Sequence, residues 1–197
     1  MTSLLSLALV AAFATTPQSL TTTLFDQAAK IKASPAEGKL SAEEQKANTQ
    51  AFSGLDALID LHAFSTAIMK PHEKKFSKKD LKQIKADFAE TVRLIGFPRA
   101  GELRDKAKLE VTGTSKVKNQ TLVTVFADIP SEELEVELIF HWTGGKNPKV
   151  VDVSIDGSSL VMDYRNQFGR IIAKDGAKAL LEKLQKKLAT LRQKYGA

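Results

Sequence analysis

The eleven residues "EELEVELIFHW" (132–142) constrain the fold more than any other stretch. Leu134, Val136, Leu138, Phe140 and Trp142 alternate with Glu133, Glu135, Glu137 and His141, and only Ile139 breaks the pattern. A period of two puts the first set on one face of a strand and the acids on the other. A strand wet on one face belongs to an antiparallel sheet, because parallel sheets are covered on both. Its apolar face then has to be buried by a second layer.

The neighbouring text predicts the rest of the sheet. "KLEVTGTSKVKNQTLVTVFADIP" (108–130) holds two strands joined by a turn at Lys118-Asn119-Gln120. Residues 143–148 form a turn, and Val150–Ile155 is a further strand. The second layer is helical. A short helix is expected over Leu20–Ile31, with a break at 34–38, and Ser41 with Glu44 makes a capping box for the next. Gly54–Lys70 has helical spacing stopped by Pro71. Ser77 and Asp80 open a helix with the stripe Leu81, Ile84, Phe88, Val92 and Ile95, expected to end before Gly96-Phe97-Pro98. Two more follow, over Ser159–Ala173 and Ala177–Tyr195, separated by Lys174-Asp175-Gly176. The expected fold class is α+β: an antiparallel meander of about four strands with amphipathic helices on its apolar face.

At 197 residues, 43% hydrophobic and 26% charged, the chain can build one sizeable core. Residues 15–197 read as one domain. The formal charge of +6 is unevenly spread. Residues 70–108 carry 12 Lys and Arg against 6 Asp and Glu, and 170–197 carry 8 against 2, whereas 109–169 carry 5 against 9. The basic surplus lies on helices and the sheet is acidic. Anionic lipid, an acidic protein or nucleic acid would suit the basic surface. Nucleic acid is set aside because the basic helices lack interleaved aromatics and the sheet has no exposed aromatic pair. Residues 1–14 read as a signal peptide: an apolar run from Leu4 ends in Ala12-Phe13-Ala14, a small-x-small cleavage pattern. No basic residue precedes the run, the first being Lys30.

No catalytic constellation emerges. Cysteine is absent, which removes thiol nucleophiles and Cys-zinc sites. Gly157-Ser158-Ser159 follows a strand and precedes a helix, but Val161 stands where a nucleophile elbow requires its second glycine. The serines read as a helix cap. "HEKKF" (72–76) has Phe76 where a zinc motif needs its second histidine. The glutamate ladder of 133, 135 and 137 gives no reason for one carboxyl to differ from the next.

One segment resembles a known family. "KVVDVSIDGSSLVMDYRNQFGRII" (149–172) resembles the C-terminal signature of the MlaC, or toluene-tolerance, family of periplasmic phospholipid-shuttle proteins. Lys149, Asp152, Val153, Ile155, Gly157, Ser159, Leu160, Tyr164, Arg165 and Phe168 fall in place. "IDLHAFSTAIM", "FSKKDLKQIKADFAETV" and "KDGAKALLEKLQKK" are similar to the family more loosely, so the likeness spans about 20–195. Two positions depart: Pro148 stands where the family has Trp, and Ser158 where it has Val or Ile. Trp142 is the candidate to replace the missing aromatic bulk.

The resemblance implies an NTF2-like or cystatin-like cone enclosing a lipid pocket, in a monomeric periplasmic carrier without a cofactor, whose cargo is phospholipid. It implies exchange between an outer-membrane lipoprotein–porin complex and an inner-membrane ABC transporter with MCE domains, in the upkeep of outer-membrane lipid asymmetry. The acyl tails are assigned to Phe88, Val92, Val136, Leu138, Phe140, Val153, Ile155, Leu160, Val161, Tyr164 and Phe168. Arg165 is placed near the headgroup or as a helix anchor. Two alternatives stay open: an NTF2-like small-molecule domain or enzyme, and a ligand-free docking module acting through the basic helices.

Overall fold

The computed structural model describes residues 16–32 and 40–195; the expected signal peptide (1–14) and the break at 34–38 lie outside them. Six helices and five strands follow in the order α1 (Pro17–Ala28), α2 (Ala42–Leu58), α3 (Leu61–Met69), α4 (Lys78–Lys106), β1 (Lys108–Val117), β2 (Gln120–Ile129), β3 (Leu134–Thr143), β4 (Val150–Ile155), β5 (Ser158–Ser159), α5 (Leu160–Asp175) and α6 (Ala177–Tyr195). The strands form one antiparallel meander in sequence order, with helices packed on it. The expected α+β class holds.

Register sets the inner face. Leu134, Val136, Leu138, Phe140 and Trp142 lie opposite Ile129, Ala127, Val125, Val123 and Thr121. On the far side of β2, Leu109 and Val111 lie opposite Ala127 and Val125. These residues share one face because a fixed antiparallel register keeps the pleats in phase. Trp142 is fully buried, and its indole N–H donates to Thr21 Oγ1 at 3.0 Å, pinning α1 to one end of the sheet. Glu133, Glu135 and Glu137 are exposed on the other side.

The meander has five strands rather than four. Asp156 and Gly157 both have positive φ (47° and 79°), the conformation of a two-residue hairpin turn that matches strand twist. The turn returns the chain for a two-residue β5 beside Ile155 and Ser154. Ser159 then caps α5, accepting from the Met162 N–H at 3.2 Å.

Three helix boundaries differ from expectation. The first helix starts at Pro17, because Thr16 and Ser19 form a reciprocal capping box. The helix expected over Gly54–Lys70 is split at Ile59 and Asp60. There the Asp60 N–H donates to the Val150 carbonyl at 2.8 Å, a parallel bridge onto β4, and the Asp60 side chain accepts from Ala63 N–H to begin α3. A sheet hydrogen bond thus overrides the helical period. Helix α4 does not stop before Pro98 but continues to Lys106. An interior proline costs roughly 3 kcal/mol, here set against the burial of Leu94, Phe97 and Gly101 on either side of it. Gly101 suits the close contact with the C-terminal end of α1 and the residues after it, since a Cβ there would lie 3.0 Å from the Ile31 side chain and 3.3 Å from the Ala28 carbonyl. Residues 70–75 form a short 3-10 helix.

Candidate functional site

The helices bury two large apolar clusters. One lies on the inner face of the sheet under α1, α2 and the C-terminal half of α4. The other joins α3, the N-terminal half of α4, α5 and α6. The second is closed by rings: Phe88 meets Tyr164 and Phe168 edge-on, with centroids 4.9 and 5.0 Å apart, and stacks on Phe64 at 6.1 Å.

The first cluster leaves a cavity of about 270 Å³. Its floor is sheet: Leu138 and Phe140 of β3, Val150, Val151, Asp152, Val153 and Ile155 of β4, and Leu109 of β1. Leu24, Phe25 and Ala28 of α1 form one wall, and Leu55, Ile59, Leu61 and Phe64 another. The roof is α4, which presents Val92, Gly96, Phe97, Arg99, Ala100 and Leu103. Spacings of three and four along these positions place them on one helical face. Leu160, in the first turn of α5, completes the lining.

The void has a local cause. At Gly96 and Ala100 the roof carries almost no side chain, and a Cβ built at Gly96 would meet only Val92, at 3.9 Å. Fixed contacts on either side hold the walls apart. Phe25 packs edge-on against Phe140 at 5.8 Å, and Phe52 against Phe97 at 5.3 Å. Arg93 seals that side by pairing with Asp56 at 2.9 Å while lying over the Phe52 ring.

Only two charged side chains belong to the lining, Asp152 and Arg99. Asp152 is fully engaged: one oxygen accepts from the N–H groups of Val153 and Val161, the other from the Ser159 hydroxyl. It ties the last long strand to the start of α5, so Ser159 acts in a junction and a cap. Ser159 has no hydrogen bond to a histidine among the described residues; His141 pairs with Ser154 at 2.9 Å, and His72 with the Arg165 carbonyl at 3.1 Å. Among the described residues, no group of three His, Asp or Glu is arranged to hold a metal.

The sequence-assigned residues divide between the two clusters. Val92, Leu138, Phe140, Val153, Ile155 and Leu160 line the cavity. Val136 shares their face and packs on the same cluster, outside the lining. Phe88, Val161, Tyr164 and Phe168 lie instead in the closed aromatic cluster, because α5 turns that face toward α3 and α4 and away from the sheet. Arg165 is an anchor: it donates to the Ala67 carbonyl at 2.8 Å and fixes α5 to α3. Sequence reading missed the walls from α1 and α2 and the roof from Gly96 to Leu103. The roof had a signal, the continuing three-four spacing of 92, 96, 99 and 103, which Pro98 concealed.

The family model described as "MlaC protein" matches residues 25–186. The fold is similar to that of a phospholipid-binding protein from Ralstonia solanacearum, solved in complex with a phospholipid. The TM-score is 0.64 at 16% identity, covering 88% of this chain and 95% of that one. No curated protein sequence matches the chain.

Proposed function

The chain belongs to the MlaC family, and from that premise we propose that it is a periplasmic carrier that holds the acyl tails of a phospholipid in the cavity over its sheet. One observation carries the reading. The cavity is lined almost wholly by apolar side chains, and of its two charged groups one is consumed within the fold. Such a lining suits hydrocarbon, and it offers no set of polar groups that a small-molecule enzyme would need at its centre.

The energetics suit a shuttle. Two tails hold on the order of 30 methylenes, worth roughly 24 kcal/mol against water at ~0.8 kcal/mol each. That exceeds what any non-covalent complex displays. A membrane offers the lipid a comparable medium, so the net free energy of exchange is near zero and the direction is set by the partners. The cavity, about 270 Å³, lies just below the range of small-ligand pockets, ~300–1,000 Å³. Two full tails therefore require α1 and α4 to move apart over the sheet.

The partners we propose are an outer-membrane lipoprotein–porin complex and an inner-membrane ABC transporter with MCE domains, visited by a monomer that helps maintain outer-membrane lipid asymmetry. No described helix is long and apolar enough to cross a membrane. The test is mass spectrometry of lipid that co-purifies with the full chain, followed by uptake from vesicles. Phospholipid retained through purification is the expected result. Protein that emerges lipid-free and takes none up would end this reading.

A further inference from the structure

We infer that Arg99 is the headgroup contact of the cavity, binding the phosphate of the lipid whose tails lie beneath α4; this rests on the carrier reading above. Arg99 sits on the cavity-facing stripe of α4, between Gly96 and Leu103, yet it is exposed, so it stands at the lip. Its guanidinium has no hydrogen-bond or ion-pair partner among the described residues. The other charged group of the lining, Asp152, has both oxygens occupied by Ser159, Val153 and Val161.

Three other cations of α4 and α5 are committed, and Arg104, which has no partner among the described residues, lies outside the cavity lining. Arg93 is held by Asp56, Lys106 by Glu132, and Arg165 by the Ala67 carbonyl. Arg99 is thus an uncompensated cation where an apolar cavity meets water. An amphiphile with its tails inside places its first polar group at that boundary. A guanidinium fork matches the oxygens of a phosphodiester in geometry and charge. The cargo class is then an anionic phosphate-bearing diacyl lipid, selected over a neutral lipid with the same tails.

The experiment compares uptake of dioleoylphosphatidylglycerol and dioleoylglycerol, each delivered from cyclodextrin, by wild type, Arg99→Gln and Arg99→Lys. Because Arg99 is exposed, neither substitution threatens the core. Wild type is expected to prefer the phosphatidylglycerol by roughly fivefold, the modest scale of a solvent-exposed charged contact, and the preference should shrink in high salt. Arg99→Gln erases the preference by lowering phosphatidylglycerol binding while leaving dioleoylglycerol unchanged, and Arg99→Lys keeps most of it. A preference that persists in Arg99→Gln overturns the inference. Equal uptake of both lipids by wild type also overturns it and leaves the carrier reading intact, whereas uptake of neither removes both.

Discussion

At Phe88, helix α4 meets a cluster of aromatic rings; two turns later, at Gly96, the same helix faces a cavity. Both regions are built from amphipathic elements, and both are strongly apolar. They differ in what the facing side chains can fill. Around Phe88, α3 and α5 contribute Phe64, Tyr164 and Phe168, whose ring contacts, with centroids 4.9 to 6.4 Å apart, consume the space between helices. Over the sheet, α4 presents Gly96 and Ala100 to a mostly apolar floor that includes Leu138 and Phe140, and a cavity remains between them. Apolar surface is closed into core in one region and left around a void in the other. The difference comes from side-chain size on one helix rather than from hydrophobicity.

The comparison breaks most directly at Phe88. Phe88→Ala is expected to lower stability by about 3–5 kcal/mol, read as a shift of the urea midpoint. A loss below 1 kcal/mol would mean the aromatic cluster is not the closed core described. Next comes Trp142, which lies in the sheet cluster but at its sealed end. Trp142→Phe removes the donor to Thr21 and leaves a small void, for an expected loss of about 1–2 kcal/mol. Lipid uptake should be retained, since Trp142 is outside the cavity lining.

The most discriminating change is Gly96→Leu. It replaces an interior helical glycine, about 1 kcal/mol less favourable than alanine, and puts a side chain into the void. Stability should rise by about 1 kcal/mol while lipid uptake falls, opposite signs that no substitution at Phe88 can give. Raised stability with undiminished uptake would place the cargo elsewhere.

The smallest effect is electrostatic, midway along α4 where it meets α6. There Leu94 packs on Leu188 and Leu191, and Arg192 forms a two-pronged pair with Glu90 at 2.6 and 2.7 Å. The hydrogen bond from Arg192 holds the Glu90 carboxyl below its ordinary value of 4.5. A depressed carboxyl contributes stability that is complete above the unfolded value and is lost as pH falls through the folded one. Both groups are partly exposed, so the contribution is below about 1 kcal/mol. Glu90→Gln should therefore flatten the acid side of the stability curve slightly and leave lipid uptake unchanged.

Much of the architecture was legible in the sequence because local pattern and burial agree there. The alternation of 134–142 names the inner face of β3 residue by residue, and the Ser159 cap is as expected. Two of the three helix boundaries that moved are those where a distant partner competes with the local signal. Val150 draws the Asp60 backbone out of a helix, and packing around Phe97 and Gly101 carries α4 through Pro98. Half of the residues assigned to lipid line the cavity; Phe88, Val161, Tyr164 and Phe168 belong to the neighbouring core, and Arg165 to a helix anchor.

By itself the sequence determined the fold class, the apolar face of the sheet and the acidic ladder opposite it. These follow from period and chemistry, which are local. Only the tertiary structure decided which apolar residues pack and which surround a void, and that Arg99 rather than Arg165 stands at the cavity's lip. A leucine stripe reads the same whether its partner fills the space or stops short of it. Packing depends on the distance between elements, and that distance is fixed by residues far apart in the chain, such as Ile31 against Gly101.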